Sequence, residues 1–264
     1  MLVLIKGAGD LATGVAVRLV RAGFSVAMAD LPQPTAVRRT VSFCEAIPEG
    51  EMIVEGIRAR RAANAGEALP ILQAGGVPVI PDPEARYLPL LKPFALVDAI
   101  LAKRNTGTSI QDAPVVVALG PGFAAGVDCH AVVETMRGHD LGRVLLSGSA
   151  LPNTGVPGEI GGYTVERLLR SPADGVFHPL KSIGDIVQAG EAVAEVAGVP
   201  VAARISGVLR GLLREGTPVH QGMKSGDVDP RCEARHCFTV SDKARSIGGG
   251  VLEAILMLGG VLHG

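Results

Sequence analysis

Leu2-Val3-Leu4-Ile5-Lys6-Gly7-Ala8-Gly9-Asp10-Leu11-Ala12 is the stretch on which the fold class turns. Four consecutive apolar residues read as a strand buried on both faces, and the glycines that follow read as a tight turn into a helix. The helical pattern runs through Val15, Leu19 and Val20 to Gly23, and a second strand, Ser25 to Ala29, ends at Asp30. That order predicts a β-α-β unit of Rossmann-like α/β type. In such a unit Gly7 makes the turn, Gly9 lets a pyrophosphate approach backbone N–H groups at the helix start, and Asp30 stands where a carboxylate binds ribose hydroxyls. Asp10 would repel a phosphate at the same turn. A second reading is therefore open, in which Gly7 and Gly9 only turn the chain and Asp10 is a helix-start carboxylate.

The segment from Ala59 reads as helix and Val77 to Ile80 as strand, and prolines at 81, 83, 89 and 93 leave a loop-rich passage. Ala95 to Ile100 is a further strand, feeding Lys103-Arg104-Asn105-Thr106. Two cations and two amide or hydroxyl donors at a strand's carboxyl end suit the ligand edge of an open α/β sheet; a solvated loop is the alternative. Val115 to Leu119 leads into a second glycine turn at Gly120 and Gly122. Ala131 to Met136 reads as a helix carrying Glu134, followed by Arg137, His139, a strand from Arg143 to Leu146, and Asn153. Glu134 and His139 are candidates for proton transfer, Arg137 and Asn153 for ligand recognition.

The C-terminal third carries a repeat at an offset of 32 residues: Gly175-Val176, Gly184, Val187 and Gly190 match Gly207-Val208, Gly216, Val219 and Gly222. Short apolar strands broken by glycine turns predict two symmetric β units folded onto one another, neither able to bury its apolar face alone. The pattern resembles the biotinyl/lipoyl-like barrel. The hairpin between the copies, Glu195 to Val201, contains no lysine, which disfavours a swinging-arm carrier. Gly248-Gly249-Gly250 then precede an apolar helix from Val251 to Leu258, read as glycines that let the helix dock closely.

Composition narrows the function. Hydrophobic residues make up 47 % and charged residues 19 %, the balance of a packed globular chain. A formal charge of −1, no Trp and two Tyr offer neither a basic surface nor stacking platforms, so nucleic acid is not an expected partner. Apolar runs fall short of the ~18 to 20 residues of a membrane span, and Lys6-Gly7 interrupts the first apolar run too early for an export signal, so a cytoplasmic protein is expected. Cys44, Cys129, Cys232 and Cys237 are scattered, and no ligand spacing supports a metal site.

The expected architecture is therefore α/β: a Rossmann-like unit over 1–110, a second glycine-turn unit with parallel strands over 111–172, a biotinyl/lipoyl-like β half-barrel pair over 173–232, and a strand and final helix over 233–264 that return to the α/β core. The ordered segments Lys6 to Gly14, Lys103 to Thr106, Gly120 to Gly122, Glu134 to His139, Pro152 to Gly155, Gly226 to Arg231 and Ser241 to Ala244 together resemble the YqeB-type selenium-dependent molybdenum hydroxylase accessory proteins. Cys237 fits that pattern; Cys129, Cys232 and His236 depart from it. The resemblance implies a maturation factor that binds a nucleotide-containing ligand, NAD(P) or a molybdopterin dinucleotide among them, and docks on an apo-hydroxylase or another maturation factor, with self-association a further expectation. Two other functions stay open: an NAD(P)-dependent oxidoreductase using Asp30 with Glu134 or His139, and a selenium or sulfur carrier using Cys237 as a thiolate.

Overall fold

The computed structural model describes residues 1–260, so the last four positions of the expected 233–264 segment lie outside the described residues. The chain divides into two compact units. The first comprises residues 1–34, 42–154 and the C-terminal segment from Val240; the second comprises 35–41 and 155–239.

In the first unit the strands, in chain order, are β1 (Leu2–Lys6), β2 (Ser25–Asp30), β3 (Glu51–Val54), β4 (Ile57–Arg61), β5 (Val77–Pro81), β6 (Ala95–Asp98), β7 (Val115–Leu119), β8 (Ala131–Val133) and β9 (Val144–Leu145). They form one sheet in the order β3-β4-β5-β2-β1-β6-β7-β8-β9. From β4 to β8 every neighbouring pair is parallel, and antiparallel β3 and β9 close the two edges. The helices are α1 (Asp10–Arg21), α2 (Ala46–Glu49), α3 (Ala65–Gln73), α4 (Leu88–Leu91) and α5 (Asp242–Leu258). Helix α1 buries Ala12, Val15, Ala16 and Leu19 at helical spacing, and Thr13, Gly14 and Val17 beside them are buried as well, while the central strands are apolar on both faces.

Helices α1 and α5 approach closely because both lack bulk at the contact. A Cβ built on Gly14 would lie 2.5 Å from the Ala244 Cβ, and one on Gly248 would lie 3.0 Å from the Gly14 carbonyl oxygen. The three consecutive glycines stand inside α5 rather than at its start. Ser241, whose side chain accepts from Ala244 N–H, caps the helix seven residues before Gly248.

This arrangement corrects the Rossmann-like assignment. A doubly wound sheet carries a helix on each crossover, whereas the connections 99–114 and 120–130 contain none. The 120–130 connection is broken by Gly120, Pro121, Gly122 and Gly126, and 99–114 by the polar run Lys103 to Thr108 around Gly107, so neither offers a continuous apolar stripe with which a helix could dock on the sheet. The sheet is mixed and continuous, and β6 and β7, either side of the expected 110/111 division, pair in register. Ala131–Val133 is a buried strand instead of a helix, and the segment from Ala59 completes β4 before α3 begins.

The second unit contains β10 (Leu168–Arg170), β11 (Gly175–Pro179), β12 (Ile186–Val187), β13 (Ala192–Val196), β14 (Val199–Ala202), β15 (Gly207–Leu212), β16 (Thr217–Val219) and β17 (Lys224–Asp229). They make two four-stranded sheets, β10-β17-β15-β12 and β14-β13-β11-β16, with every pairing antiparallel. The expected half-barrel pair is corrected as well. Each sheet takes one strand from the other copy of the repeat, β12 in the first and β16 in the second, and the first sheet also recruits β10 from before the repeat. Neither copy is a closed half. The glycines repeated at 184/216 and 190/222 all have positive φ, between +79° and +105°, which explains why glycine recurs at those turns.

A buried ionic cluster joins β15 and β17 in this unit. Asp227 accepts from Arg167 at 2.8 Å and from the Arg210 Nε at 2.7 Å, and Asp229 accepts from Arg231 at 2.6 and 2.9 Å. The motif Gly226 to Arg231 is thus used in holding two antiparallel strands.

Candidate functional site

The strand order reverses at β1: β2 follows it on one side through α1, while β6 lies on the other. In open α/β sheets ligands bind at such a switch point, beyond the carboxyl ends of the strands. Lys6-Gly7 leaves β1, Asp98-Ala99 leaves β6 and Leu119-Gly120 leaves β7, and these three strands are adjacent. Segments about a hundred residues apart in sequence therefore meet on one crest.

Gly7 has φ +92°, and a Cβ there would lie 2.9 Å from the Ala99 carbonyl oxygen. Gly122 has φ +107°, and its Cβ would lie 2.5 Å from the Arg104 backbone nitrogen. Only glycine allows the 99–108 loop to rest against both turns. Gly120, at φ +72°, gives the same clearance to the Thr135 hydroxyl.

Below the crest lies a polar group that the sequence reading did not single out. Lys6 Nζ donates to Thr108 Oγ1 at 2.7 Å, Thr108 Oγ1 donates to Asp98 Oδ2 at 2.6 Å, and Lys6 Nζ stands 3.7 Å from Asp98 Oδ2. All three residues are buried. Asn105 Oδ1 accepts from the Gly107 and Thr108 N–H groups, and its Nδ2 donates to Thr108 O at 2.8 Å and to Asp128 Oδ1 at 3.4 Å. Lys103, Arg104 and Thr106 are exposed on the same loop. The available signal was Asp98 itself, a carboxylate ending an apolar strand, since such a group is buried only with a partner.

Asp30 is half-buried and holds the backbone around it. Its Oδ2 accepts from Ala8 N–H at 2.6 Å and its Oδ1 from Leu31 N–H at 2.7 Å, closing the glycine turn on itself. Cys44 N–H donates to Ala8 O at 2.9 Å, so a second segment packs on that turn. Burial raises the Asp30 carboxyl pKa against these hydrogen bonds. Burial, with Asp30, Glu45 and Asp10 nearby, pushes the Cys44 thiol far up. Acidic groups gathered about Gly7–Asp10 make a poor cradle for a pyrophosphate.

Glu134 is buried, and both carboxylate oxygens hold backbone: Oε1 accepts from Met136 N–H at 2.6 Å and Oε2 from Leu151 N–H at 2.8 Å. Its geometry is that of a loop anchor. Arg137 makes a two-point ion pair with Asp242 at 2.7 and 2.9 Å. His139 and Asn153 are exposed. β8, which ends next to Glu134, is four ladders from β2, about 19 Å at ordinary strand spacing, so Glu134 and Asp30 do not share one small ligand. Cys237 belongs to the second unit, buried, with its Sγ 3.8 Å from Leu209 O. Burial raises its pKa, the opposite of what a reactive thiolate needs. Among the described residues no three His, Cys, Asp or Glu side chains group as metal ligands. Among them, too, no helix is long and apolar enough to cross a membrane.

No protein-family model matches the chain. Over 257 residues, 97 % of its length, it is 52 % identical to the uncharacterized protein YqeB of Escherichia coli (strain K12). The chain is a relative of YqeB. It spans about half of that protein, 48 % of its length. Among solved structures it is similar to an aspartoacylase family protein from Mesorhizobium loti, at 13 % identity and a TM-score of 0.28. It is also similar to a succinylglutamate desuccinylase/aspartoacylase from Rhodobacter sphaeroides, at 15 % and 0.27. Each alignment covers 86 % of this chain and 84 % of the other. At such TM-scores the likeness carries no argument.

Proposed function

We propose that this YqeB relative is an accessory factor in the maturation of molybdenum hydroxylases, holding a ligand with an anionic group on the crest of its mixed sheet. The observation that supports this reading is convergence. Three of the separated segments behind the family resemblance, Lys6 to Gly14, Lys103 to Thr106 and Gly120 to Gly122, end on adjacent parallel strands at one edge. The cations Lys103 and Arg104 are exposed there, whereas the neighbouring β1–α1 turn is acidic, so the anion belongs on the β6–β7 side of the crest. The occupied carboxylate of Asp30 speaks against a dehydrogenase, and the buried Cys237 thiol against a sulfur or selenium carrier.

The test has two arms. Native mass spectrometry of the purified protein should show a co-purified anionic small molecule that is lost in Arg104→Gln. Deleting the gene should lower molybdenum hydroxylase activity in cells supplied with molybdate and selenite. Full hydroxylase activity in the deletion strain sinks the maturation role whatever the first arm gives.

A further inference from the structure

We infer that Lys6, Asp98 and Thr108 are positioning residues that clamp the 99–108 loop, and that Arg104, not Lys6, is the cation this crest offers an anionic ligand. The second half rests on the ligand-site reading above; the first does not.

Lys6 follows an apolar strand and precedes a glycine turn, where a phosphate-binding lysine would be looked for. Its side chain, however, is 6 % exposed, and the ammonium is already committed to Thr108 Oγ1 and the Asp98 carboxylate. Recruiting it for a ligand would strand a buried carboxylate without its charge partner, which is strongly unfavourable. The clamp holds a loop in need of holding. Leu101 and Lys103 take φ +61° and +62°, a region costly for residues with side chains and kept only where surrounding contacts over-determine it.

Those contacts come from both ends of the loop. At the start, Asp98 Oδ1 accepts from Ile100 N–H at 3.2 Å and Lys6 O accepts from Ala99 N–H at 2.8 Å. At the finish, the Thr108 hydroxyl bridges Lys6 and Asp98 while Asn105 closes 105–108 on itself and reaches Asp128. Arg104, exposed, lies between these two anchors, with its backbone seated on Gly122. The loop takes positive φ at Leu101 and Lys103 and is pinned at its ends, which holds the Arg104 backbone against Gly122.

Limited trypsin digestion of the full chain reads the clamp directly, because Lys103 and Arg104 are themselves cleavage sites. Thr108→Val, equal in shape but without the hydroxyl, should raise the cleavage rate after these residues at least tenfold; Thr108→Ser should stay within twofold of the natural chain. Asp98→Asn is the second variant. Far-UV circular dichroism and the tryptic pattern elsewhere report whether each variant is folded, and cutting confined to 103–104 is the expected result. Wild-type cleavage rates in both Thr108→Val and Asp98→Asn overturn the clamp, as does equal acceleration in Thr108→Ser.

Calorimetric titration with inorganic pyrophosphate reads the cation. Arg104→Gln should weaken binding at least fivefold while hydrogen exchange over 99–108 stays unchanged. Undiminished binding in Arg104→Gln overturns the assignment of Arg104. Absence of pyrophosphate binding to the natural chain overturns the anion site itself, and with it the ligand-site reading, leaving the clamp to stand or fall on proteolysis.

Discussion

Helix α5 offers a sharp test of the packing logic, because three consecutive glycines in it face three different surroundings. A Cβ on Gly249 meets nothing within 4 Å. A Cβ on Gly250 would lie 2.1 Å from the Gly142 carbonyl oxygen and 2.9 Å from a Val133 methyl, and one on Gly248 would lie 3.0 Å from Gly14 O. Replacing a mid-helix glycine by alanine gains about 1 kcal/mol of helix propensity where space allows. Gly249→Ala should therefore stabilise the first unit by about 1 kcal/mol. At Gly250 the new methyl must push a backbone carbonyl by roughly 1 Å, an overpacking cost at or above the upper end of ~1 to 3 kcal/mol, so after the propensity gain the net loss is about 2 kcal/mol. Gly248→Ala falls between them, near zero. Urea unfolding followed at 222 nm is the assay, since the longer helices, α1, α3 and α5, belong to the first unit. In a thermal scan 1 kcal/mol is worth about 2 °C for a chain of this size. If Gly249→Ala and Gly250→Ala fall within about 0.5 kcal/mol of each other, the close approach of α5 to the Gly142 loop is wrong.

The second unit should be acid-sensitive in a defined window. Burial alone would raise the Asp229 carboxyl, but Arg231 and Arg210 outweigh it and hold it at about 2 against an ordinary 3.8. A depressed carboxyl contributes stability that is present above pH ~4 and lost as pH falls toward 2, about 2 kcal/mol in all, of which about half is lost between pH 5 and pH 3; urea titrations at those two pH values, with Arg231→Gln reducing the difference, check it. Thiol labelling with iodoacetamide at pH 8 should modify exposed Cys232 first and leave Cys44, Cys237 and Cys129, the last pushed up to about 12, unmodified while the protein is folded; mass mapping that finds Cys237 labelled as fast as Cys232 would contradict its burial. Glu134→Gln replaces one of two backbone-accepting oxygens by a donor facing an N–H, and should cost about 1.5 to 3 kcal/mol by chemical denaturation, whereas His139→Ala should change stability by less than about 0.5 kcal/mol.

Several misreadings share one cause, that local pattern is silent about partners. Ala131 to Met136 reads as helix because a short apolar run has no period of its own; in the fold Val132 and Val133 are buried on both faces between β7 and β9. Glu134 looks like an acid–base group as long as the amides of Met136 and Leu151, which consume its oxygens, are out of view. Asp30 stands at the end of β2, as its sequence position says, but the structure shows its two oxygens accepting from Ala8 and Leu31 N–H, partners that its position alone does not reveal. The 32-residue repeat is visible in the chain through its glycines, yet the exchange of β12 and β16 between sheets is a matter of long-range pairing.

Leu2 to Lys6 by itself determines a buried strand, because four apolar residues in a row satisfy both faces of a covered sheet. The glycines at 7, 184, 190, 216 and 222 likewise determine turns, because their backbone angles exclude other residues at little cost to the chain. These are properties of neighbours along the chain. What only the tertiary structure decided is which polar groups meet across it: Lys6 with Thr108 and Asp98, Arg137 with Asp242, Asp227 with Arg167. A buried charge is stable only beside its partner, and that partner is chosen by strand order and loop closure, which no local period encodes.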